Sequence, residues 1–400
     1  MKENNNKEKV IKSEKGGVWK ILLTIFLTAI ITYFCTITFT IKSYLSTSGM
    51  SYLSTKLALI DQKLKSTYIY DMDKDKMLEN AIKGYVTGVN DKYTQYLTKE
   101  EMTELMEDTT GNYVGIGVYM ADNTADNTIL IIGVIEGSVA EKAGLQAGDI
   151  ITKVEGVEYK GDQLDSVVSA IKGEEGTSVN ITIKRAEKEQ DFNIVRSNIK
   201  IKTVSSSMIG NSAYIKITAF NDGTAQEFKD AYNSLKSNNP NGLIIDLRNN
   251  GGGLVSESLS IAETMVEKDK TLLITSNKDK KEEITKSKEK PIVDVPIVIL
   301  INKNTASASE ILAGCLKDNN DVKIIGATSY GKGVIQTIYS FADGSGLKIT
   351  SEEYFTPNHN AINKIGIMPD IEIKLDSEWE NISNIPYEND LQLQEAIKMF

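Results

Sequence analysis

Hydrophobic positions along the chain begin with one long uninterrupted run near the N-terminus. Ile21 to Ile41 is a stretch of 21 residues without a charged side chain. At about 1.5 Å per residue, a helix of this length spans the roughly 30 Å hydrocarbon core of a bilayer. The apolar part of a signal peptide is shorter, about 7–15 residues, and ends at a small-residue cleavage site that is not found here. The pattern therefore predicts a transmembrane helix at residues 21–41.

Charges on the two sides of this run predict its orientation. Residues 1–20 contain six lysines and three glutamates, whereas Lys42 is the basic residue that directly follows the run. Basic residues that flank a membrane helix stay on the cytoplasmic side. We therefore expect a cytoplasmic tail at residues 1–20 and a single pass through the cell membrane, with the rest of the chain extracytoplasmic. Whether the helix is retained or cleaved stays open.

After this run, the spacing of hydrophobic residues is first typical of helices and then typical of strands. In the last part of the chain, helical and strand-like stretches follow each other in turn. Thr98 and Glu101 also form the pattern of a capping box, which predicts the start of a short helix. Strand-like runs that alternate with amphipathic stretches are typical of an α/β fold. The sequence thus predicts a multidomain protein of the α/β (α+β) class. The expected parts are a helical region at 42–110, a β-rich domain at 111–197, an α/β core at 198–375 and a helical tail at 376–400.

Composition excludes several classes of function. The 400 residues are 40% hydrophobic and 25% charged, with a net charge of −10, so the chain lacks the basic surface that nucleic acid requires. Its two cysteines, Cys35 and Cys315, and its one histidine, His359, are too few for a thiolate or multi-histidine metal site. We expect no metal and no cofactor. An enzyme with this sequence would have to move protons mainly with other side chains.

A glycine-rich stretch at residues 326–332 has to be weighed as a nucleotide site. Its sequence, GATSYGK, fits the stem of a phosphate-binding loop, but Gly333 stands where that loop carries a serine or threonine for magnesium. The residues that follow, VIQTIYSF, are β-branched and aromatic, whereas a phosphate-binding loop opens a helix. The sequence therefore disfavours nucleotide binding and leaves Lys332 to another role.

Two motifs in the β-rich part resemble those of a PDZ domain. They are the loop Gly115-Ile116-Gly117 and, some thirty residues later, GLQAGDII at 144–151. The resemblance implies that backbone amides of the loop bind the C-terminal carboxylate of a partner, whose last residues add a strand beside the loop. Glycine suits such a loop because a side chain would hinder the close approach of an anion.

Longer motifs in the α/β part resemble the C-terminal processing peptidases, the tail-specific serine proteases of the S41 family. The resemblance covers about residues 55–400 and implies a serine endopeptidase. The matching blocks are IIDLRNNGGG at 244–253, ASASEILAGCLKDNNDVKIIGATSYGKGVIQ at 306–336, ITSEEYFTPN at 349–358, GIMPD at 366–370 and LQLQEAIK at 391–398.

This resemblance assigns catalytic roles to three residues. Ser307 matches the nucleophile, Lys332, 25 residues later, matches the base, and Gln336 matches the residue that orients the lysine. A neutral lysine can activate a serine, which suits a chain with one histidine. Alternation along a strand would place Lys332 and Gln336 on one face. Because the lysine pKa must fall about three units from about 10.4, we expect Lys332 to be largely buried and without a carboxylate partner.

The same resemblance implies an oxyanion hole made of two backbone N–H groups. One belongs to Ala308, directly after the nucleophile. The other comes from the glycine loop, from Gly251, Gly252 or Gly253, and Gly253 is the first candidate. Gly251 stands where the family usually has proline. His359 is expected to be an ordinary loop residue.

Two functions remain in view. One is a membrane-anchored serine endopeptidase that cleaves envelope or secreted proteins near their C-termini, with the PDZ-like domain recognising apolar C-terminal tails and gating activity. The other is a catalytically silent PDZ scaffold that binds protein C-termini. The residues at positions 307, 332 and 336 favour the enzyme. Expected partners are protein or peptide substrates and the membrane but not nucleic acid, and a homo-oligomer or a regulatory adaptor stays open.

Overall fold

The computed structural model describes residues 4–47, 49–376, 379, 382 and 385–400. Residues 1–3 of the expected cytoplasmic tail and positions 377, 378, 380, 381, 383 and 384 of the expected helical tail therefore lie outside the described residues. The chain divides into two compact units, Met1–Leu78 and Glu79–Phe400.

The first unit is helical. Helix α1 (Asn4–Thr47) is 44 residues long and contains Trp19–Thr40, a 22-residue stretch of mean hydropathy 2.2. By length and composition this stretch could cross a membrane, and it overlaps the predicted span at 21–41. Helix α2 (Met50–Thr67) follows, and α3 (Lys74–Thr87) begins in this unit and ends in the next.

A short strand and a capped helix continue the chain in the second unit. They are β1 (Gln95–Leu97) and α4 (Lys99–Thr110). The Glu101 N–H donates to Thr98 Oγ1 (3.3 Å) and the Thr98 N–H donates to the Glu101 carboxylate (2.8 Å), so the predicted capping box is present. The helix ends at Gly111, whose φ of 66° suits glycine.

The predicted β-rich domain consists of antiparallel strands around a core of isoleucine and valine side chains. Its main sheet has the order β3-β4-β5-β7-β8, with β6 paired to β5, while β2 pairs with β9 where the chain enters and leaves the domain. Strand β3 is thus at the edge of the sheet. The elements are β2 (Asn112–Gly115), β3 (Val118–Asn123), β4 (Thr128–Val134), α5 (Val139–Ala143), β5 (Ile150–Val154), β6 (Val157–Glu158), α6 (Leu164–Ile171), β7 (Ser178–Arg185), β8 (Lys188–Val195) and β9 (Ser197–Lys200).

The predicted α/β core is built on a sheet of order β10-β11-β12-β15-β16-β19, parallel except for the β10–β11 pair. A second sheet has the order β1-β18-β13-β14, with β17 paired to β18. The elements are β10 (Val204–Ile209), β11 (Ser212–Ile217), α7 (Thr224–Lys236), β12 (Gly242–Asp246), α8 (Val255–Ala262), β13 (Thr271–Asn277), β14 (Glu282–Lys286), β15 (Ile297–Ile301), α9 (Ala308–Asn319), β16 (Lys323–Gly326), β17 (Val334–Ser340), β18 (Gly346–Phe355), β19 (Ile371–Glu372) and α10 (Leu391–Ile397).

The two central strands explain why this sheet is parallel and covered on both faces. Every residue of β12 (GLIID) and of β15 (IVILI) is buried, as expected for continuous apolar runs in parallel strands. One face packs on the large core that includes helices α7, α8 and α9, and the other packs on a smaller core that includes α10. The predicted mixed helix-and-sheet fold is confirmed.

Candidate active site

Three parallel strands that are neighbours in the core sheet, β12, β15 and β16, end at the edge where the candidate catalytic segments lie. The glycine loop follows β12, Ser307 follows β15, and Lys332 follows β16. Because the carboxyl ends of parallel strands meet at one edge, segments that are far apart in sequence become neighbours there. Gly326 ends β16 with φ 132°, and a Cβ atom at this position would clash with the carbonyl of Ile301.

Ser307 occupies the N-cap of α9 in an unusual backbone conformation. Its φ of 57° and ψ of −118° cost a residue other than glycine about 1–3 kcal/mol. The residue is 8% exposed, and its hydroxyl forms no hydrogen bond with the described residues. Its backbone is held firmly, because its N–H donates to Glu310 Oε2 (2.8 Å) and its carbonyl accepts the N–H of Glu310 (2.8 Å). The hydroxyl is therefore an unengaged candidate nucleophile on a backbone held by hydrogen bonds.

Glu310 is a fully buried carboxylate that joins the serine segment to the lysine segment. Its Oε2 accepts the N–H groups of Ser307 (2.8 Å) and Lys332 (2.9 Å). Its Oε1 accepts the Gly331 N–H (2.7 Å) and the Ser329 hydroxyl (2.5 Å). Four donors compensate the cost of burying the charge. The place of Glu310 three residues after an N-cap indicates a capping role, but the sequence does not reveal its contacts with the lysine segment.

Tyr354 adds a second connection between the same two segments. Its hydroxyl lies 3.2 Å from the carbonyl oxygen of Ser307 and is hydrogen-bonded to the carbonyl of Lys332. The side chain is 1% exposed, and burial raises the pKa of Tyr354 well above its usual value. The phenol is thus a neutral donor near neutral pH, and sequence reasoning did not single it out.

Lys332 is half-buried, and its amine forms no hydrogen bond with the Ser307 hydroxyl in the described structure. Its Nζ lies 4.9 Å from the centroid of the Tyr93 ring, and it forms no ion pair or hydrogen bond with a side chain in the part of the chain that the structure describes. Burial lowers the pKa of Lys332 and the nearby Lys348 lowers it further, while Glu310 acts in the opposite direction. The side chain is therefore less buried than expected, although its pKa shifts in the direction that a base requires.

Gln336 is also separated from Lys332 in this structure. Strand β17 begins at Val334, two residues after the lysine, and its register with β18 shifts between Ile335 and Gln336. The Gln336 side-chain nitrogen lies 3.4 Å from the Val334 carbonyl and 3.5 Å from Thr350 Oγ1. The expected contact between Lys332 and Gln336 is not formed, because the lysine ammonium lies over the Tyr93 ring instead.

The glycine loop lies directly against the nucleophile. A Cβ atom on Gly252 would lie 2.8 Å from Ser307 Cβ and 3.0 Å from the Ala308 nitrogen, so only glycine fits. The Gly252 N–H donates to Asn250 Oδ1 (2.8 Å) and is therefore engaged. Gly253 has φ 141°, and its N–H has no acceptor among the described residues. Ala308 is the first residue of α9, so its N–H has no acceptor within the helix.

Asn250 fastens the glycine loop to the serine segment and was not identified from the sequence. It is fully buried, and its side-chain nitrogen donates to the Ile217 carbonyl (2.9 Å). Its own carbonyl accepts the Ala306 N–H (3.0 Å) and the Ser309 hydroxyl (3.0 Å). The sequence shows an asparagine before glycines, which predicts a turn but not these contacts.

A buried charged network supports the same loop from the C-terminal tail. Arg248 donates to the carboxylates of Asp246 (2.6 Å) and Asp390 (2.8 Å). Burial alone would raise the pKa of Asp246, but the Arg248 guanidinium holds it below its usual value. The tail thereby helps to fix the start of the glycine loop.

The candidate peptide-binding loop lies in the β-rich domain beside an apolar groove of about 170 Å³. Gly115 ends β2, Ile116 is 1% exposed, and Gly117 has φ 85°. A Cβ atom on Gly117 would clash with Ser138, whereas one on Gly115 would meet no atom within 4 Å. The N–H groups of Ile116 and Gly117 have no acceptor among the described residues. Together with edge strand β3, they offer unpaired donors to an incoming chain.

The lone histidine and the second cysteine lie outside this arrangement. His359 is half exposed, and its ring nitrogen lies 2.8 Å from Glu282 on β14. Cys315 is buried in α9, and burial raises the pKa of its thiol to about 12. Neither residue is placed to replace Ser307 as nucleophile or Lys332 as base.

Comparison with known proteins gives two family matches and several long relatives. Residues 211–373 match peptidase family S41, and residues 130–185 match the PDZ domain. A "Probable CtpA-like serine protease" of Staphylococcus haemolyticus is 34% identical over 389 residues, covering 96% of this chain and 78% of the relative. A protein of the same description from Staphylococcus aureus (strain COL) is 36% identical over 388 residues, covering 96% and 77%.

One solved structure shows the same fold. It is described as a "Putative S41 protease from Bacteroides fragilis" and superposes with a TM-score of 0.53 at 16% identity, covering 83% of this chain and 92% of that chain. The photosystem II D1 C-terminal processing protease is 28% identical with a TM-score of 0.48, covering 80% and 86%.

Proposed function

Since the chain belongs to peptidase family S41 and is a serine-type peptidase with a PDZ domain, we propose that it is a membrane-anchored endopeptidase with a Ser307–Lys332 dyad. In this proposal it cleaves envelope or secreted proteins near their C-termini. The PDZ domain recognises the substrate tail and gates the active site.

One observation carries the proposal for the dyad. The backbone N–H groups of Ser307 and Lys332 donate to the same oxygen, Glu310 Oε2, at 2.8 and 2.9 Å. The main chains of the proposed nucleophile and base are therefore neighbours whatever their side chains do. A rotation of the lysine side chain away from Tyr93, with no rearrangement of the sheet, is the simplest way to assemble the dyad.

The residues then have the following roles in the reaction. Ser307 Oγ attacks the scissile carbonyl carbon while its proton passes to the neutral Lys332 amine. Lys332 gives the proton to the leaving amine as the peptide C–N bond breaks and the acyl-enzyme forms. The Lys332 amine then takes a proton from the attacking water and returns it to Ser307 Oγ as the acyl–oxygen bond breaks and the carboxylic acid product leaves. The Ala308 N–H and the Gly253 N–H stabilise the oxyanion, each contributing about 3–4 kcal/mol. Gly253 is preferred to Gly252 because the Gly252 N–H is engaged by Asn250.

Gln336 acts once the lysine has left the tyrosine ring. Its side-chain oxygen would then accept an N–H of the neutral Lys332 amine and orient the nitrogen lone pair toward Ser307. In the present conformation the Gln336 amide nitrogen makes two long contacts among the described residues, with the Val334 carbonyl at 3.4 Å and Thr350 Oγ1 at 3.5 Å. Such weak contacts allow it to turn at little cost.

The groove beside Ile116 and Gly117 supports tail recognition in the PDZ domain. An apolar C-terminal tail would add to edge strand β3, bury its side chains in the groove and place its carboxylate on the two unpaired N–H groups. Coupling this binding to an active site that lacks its Ser–Lys contact would gate cleavage.

The apolar stretch Trp19–Thr40 supports anchoring. With the N-terminus in the cytoplasm, the catalytic residues face the outside of the cell membrane, where envelope proteins are held at high local concentration. A protease added outside intact cells should then digest residues after 42, and full protection of that region would contradict this orientation.

Turnover of a labelled unfolded protein by the detergent-solubilised full chain tests the catalytic proposal. Ser307→Ala and Lys332→Ala should each lower kcat/KM by about 10³-fold or more. Both variants should still bind a labelled peptide with an apolar, free C-terminus. Substantial turnover by either variant contradicts the dyad. Tail binding without any turnover by the wild type would instead support the silent scaffold.

A further inference from the structure

Two lysines share one tyrosine ring beside the proposed base. The Lys332 Nζ lies 4.9 Å from the centroid of the Tyr93 ring, and the Lys92 Nζ lies 4.7 Å from the same centroid. Lys92 comes from the loop between α3 and β1, and Lys332 comes from the segment before β17. Two cations therefore lie within cation–π distance of one aromatic ring, and their charges repel each other.

Lys92 is fixed by a second aromatic residue. Its Nζ donates to the Tyr330 hydroxyl (2.8 Å) and lies 4.9 Å from the Tyr330 ring centroid. Tyr330 is two residues before Lys332, so this contact connects the loop between α3 and β1 to the segment that carries Lys332. Tyr93, Tyr330 and Lys92 line a cavity of about 780 Å³ that also includes Val334 and Lys364.

The pKa values of Lys92 and Lys332 are shifted in opposite directions. The hydrogen bond to Tyr330 raises the pKa of Lys92 to about 12, and the same contact lowers the pKa of Tyr330. Burial lowers the pKa of Lys332, and the charges of Lys348 and Lys92 lower it further. Environments that separate the pKa values of two neighbouring groups are a sign of distinct acid–base roles.

We propose that Lys92, held by Tyr330 and Tyr93, is a positioning residue for Lys332. This inference rests on the proposed Ser307–Lys332 dyad. The permanently charged Lys92 occupies the ring and repels a second cation, so the Tyr93 ring holds the protonated Lys332 only weakly. Once neutral, the Lys332 amine loses its cation–π attraction and can turn to Ser307.

The other charged and titratable groups around Lys332 do not replace Lys92 in this role. Lys348 on β18 also carries a positive charge, but it makes no contact with the Tyr93 ring in the described structure. Glu310 on α9 acts in the opposite direction and is satisfied by its four donors. The remaining groups that face this region are Tyr93, Tyr330 and Tyr354, with Asp91 bound to Thr94 and Thr350.

The pH dependence of kcat/KM for the full chain in detergent tests the inference. Lys92→Met should shift the midpoint of the acidic limb to a higher pH by about half a unit. The reason is that removing a charge several ångströms away in a solvent-accessible site raises the pKa of Lys332 by about that amount. Well below the limb, kcat/KM should be about threefold lower than in the wild type, and well above it the two should agree. In about 1 M salt the difference should largely disappear.

Three further variants make the result specific. Lys92→Arg keeps the charge and should restore the wild-type limb, a rescue that a merely structural role does not predict. Tyr330→Phe removes the hydroxyl that fixes Lys92, so in that background Lys92→Met should move the limb by less than it does in the wild type. Lys364→Met removes another lysine of the same cavity and should leave the limb in place.

The inference is overturned if Lys92→Met leaves the limb within about 0.1 unit of the wild type, or if Lys364→Met moves it as far. The proposed function fails separately, through activity that survives in Ser307→Ala or Lys332→Ala. If those two variants lose activity but Lys92→Met leaves the limb unmoved, the dyad is retained and only the proposed role of Lys92 is rejected.

Discussion

The peptide-binding loop and the active site differ in how far each is assembled. In the loop, the unpaired N–H groups of Ile116 and Gly117 already border the apolar groove and edge strand β3. In the candidate active site, the backbones of Ser307 and Lys332 are joined through Glu310, but no hydrogen bond joins their side chains in the described structure. Under the proposed function, the loop is ready for a ligand, whereas the active site still needs a side-chain rotation.

Under the proposed function, this difference implies an order of events. A tail would bind first because its site needs no rearrangement, and cleavage would follow once the Lys332 side chain has moved. The backbone links through Glu310 would stay in place during that movement. A small free-energy change at the PDZ domain would therefore suffice to shift the active-site population.

Among the substitutions that test this comparison, Glu310→Gln should have the largest effect, and the effect is on the active site. An amide offers one acceptor oxygen where the carboxylate serves four donors, and its NH₂ group would face donor groups. We expect kcat/KM to fall about 100-fold and the free energy of unfolding to fall by about 2–3 kcal/mol. Both can be measured on the full chain, by turnover of an unfolded protein and by urea denaturation.

Glu101→Gln is the matched control, because Glu101 is also the third residue after a helix N-cap. It should cost at most about 1 kcal/mol and leave kcat/KM within about twofold. Equal activity losses in the two variants would show that Glu310 has no special role in joining the serine and lysine segments.

Gly117→Ala should have the next largest effect, on the loop half of the comparison. A methyl group there would clash with Ser138 and force a residue other than glycine to φ 85°. The affinity for a labelled apolar peptide with a free C-terminus should fall about tenfold or more, as measured by fluorescence anisotropy. Gly115→Ala should weaken binding less than about threefold, because no atom lies within 4 Å of the added carbon. The opposite ranking would contradict a preformed loop.

Tyr354→Phe should weaken the second connection between the serine and lysine segments. Loss of the hydroxyl leaves the buried carbonyls of Ser307 and Lys332 without this donor, which costs about 1–2 kcal/mol of stability. We expect kcat to fall about three- to tenfold in steady-state turnover. Tyr339→Phe, at an exposed position on β17, should leave kcat unchanged. An unaltered kcat in Tyr354→Phe would show that Tyr354 does not contribute to the coupling between the serine and lysine segments, which would then rest on Glu310.

His359→Ala should have the smallest effect. The side chain is half exposed and its partner is Glu282 on β14, away from Ser307. We expect kcat/KM to stay within about twofold of the wild type from pH 6 to pH 9. A complete loss of turnover would revive a histidine base.

Much of the fold follows from hydrophobic patterning, because the patterned segments are strongly buried or strongly apolar. The buried run IVILI predicts strand β15, and the spacing of Thr98 and Glu101 predicts the capping box that is observed. Exact helix ends, such as the end of α8 at Ala262, do not follow from periodicity, because they depend on local contacts.

The candidate site is less predictable than the fold, because it depends on contacts between distant segments. Motif spacing points to Ser307 and Lys332, but it does not reveal that Glu310 bridges their backbones. Alternation along β17 predicts a contact between Lys332 and Gln336. The structure places the lysine before the strand and over Tyr93, a residue of a loop more than two hundred positions earlier.

Labelling of Ser307 by a fluorophosphonate probe tests the central claim most directly, because it reports how well the nucleophile is activated without requiring a substrate. If the competent form is about 3% populated and a bound tail brings it to about half, a peptide with a free C-terminal carboxylate should speed labelling more than tenfold. The same peptide with an amidated C-terminus should have little effect, since the N–H groups of Ile116 and Gly117 would lose their anion. Equal labelling rates with the free peptide, with the amidated peptide and without either would contradict the account.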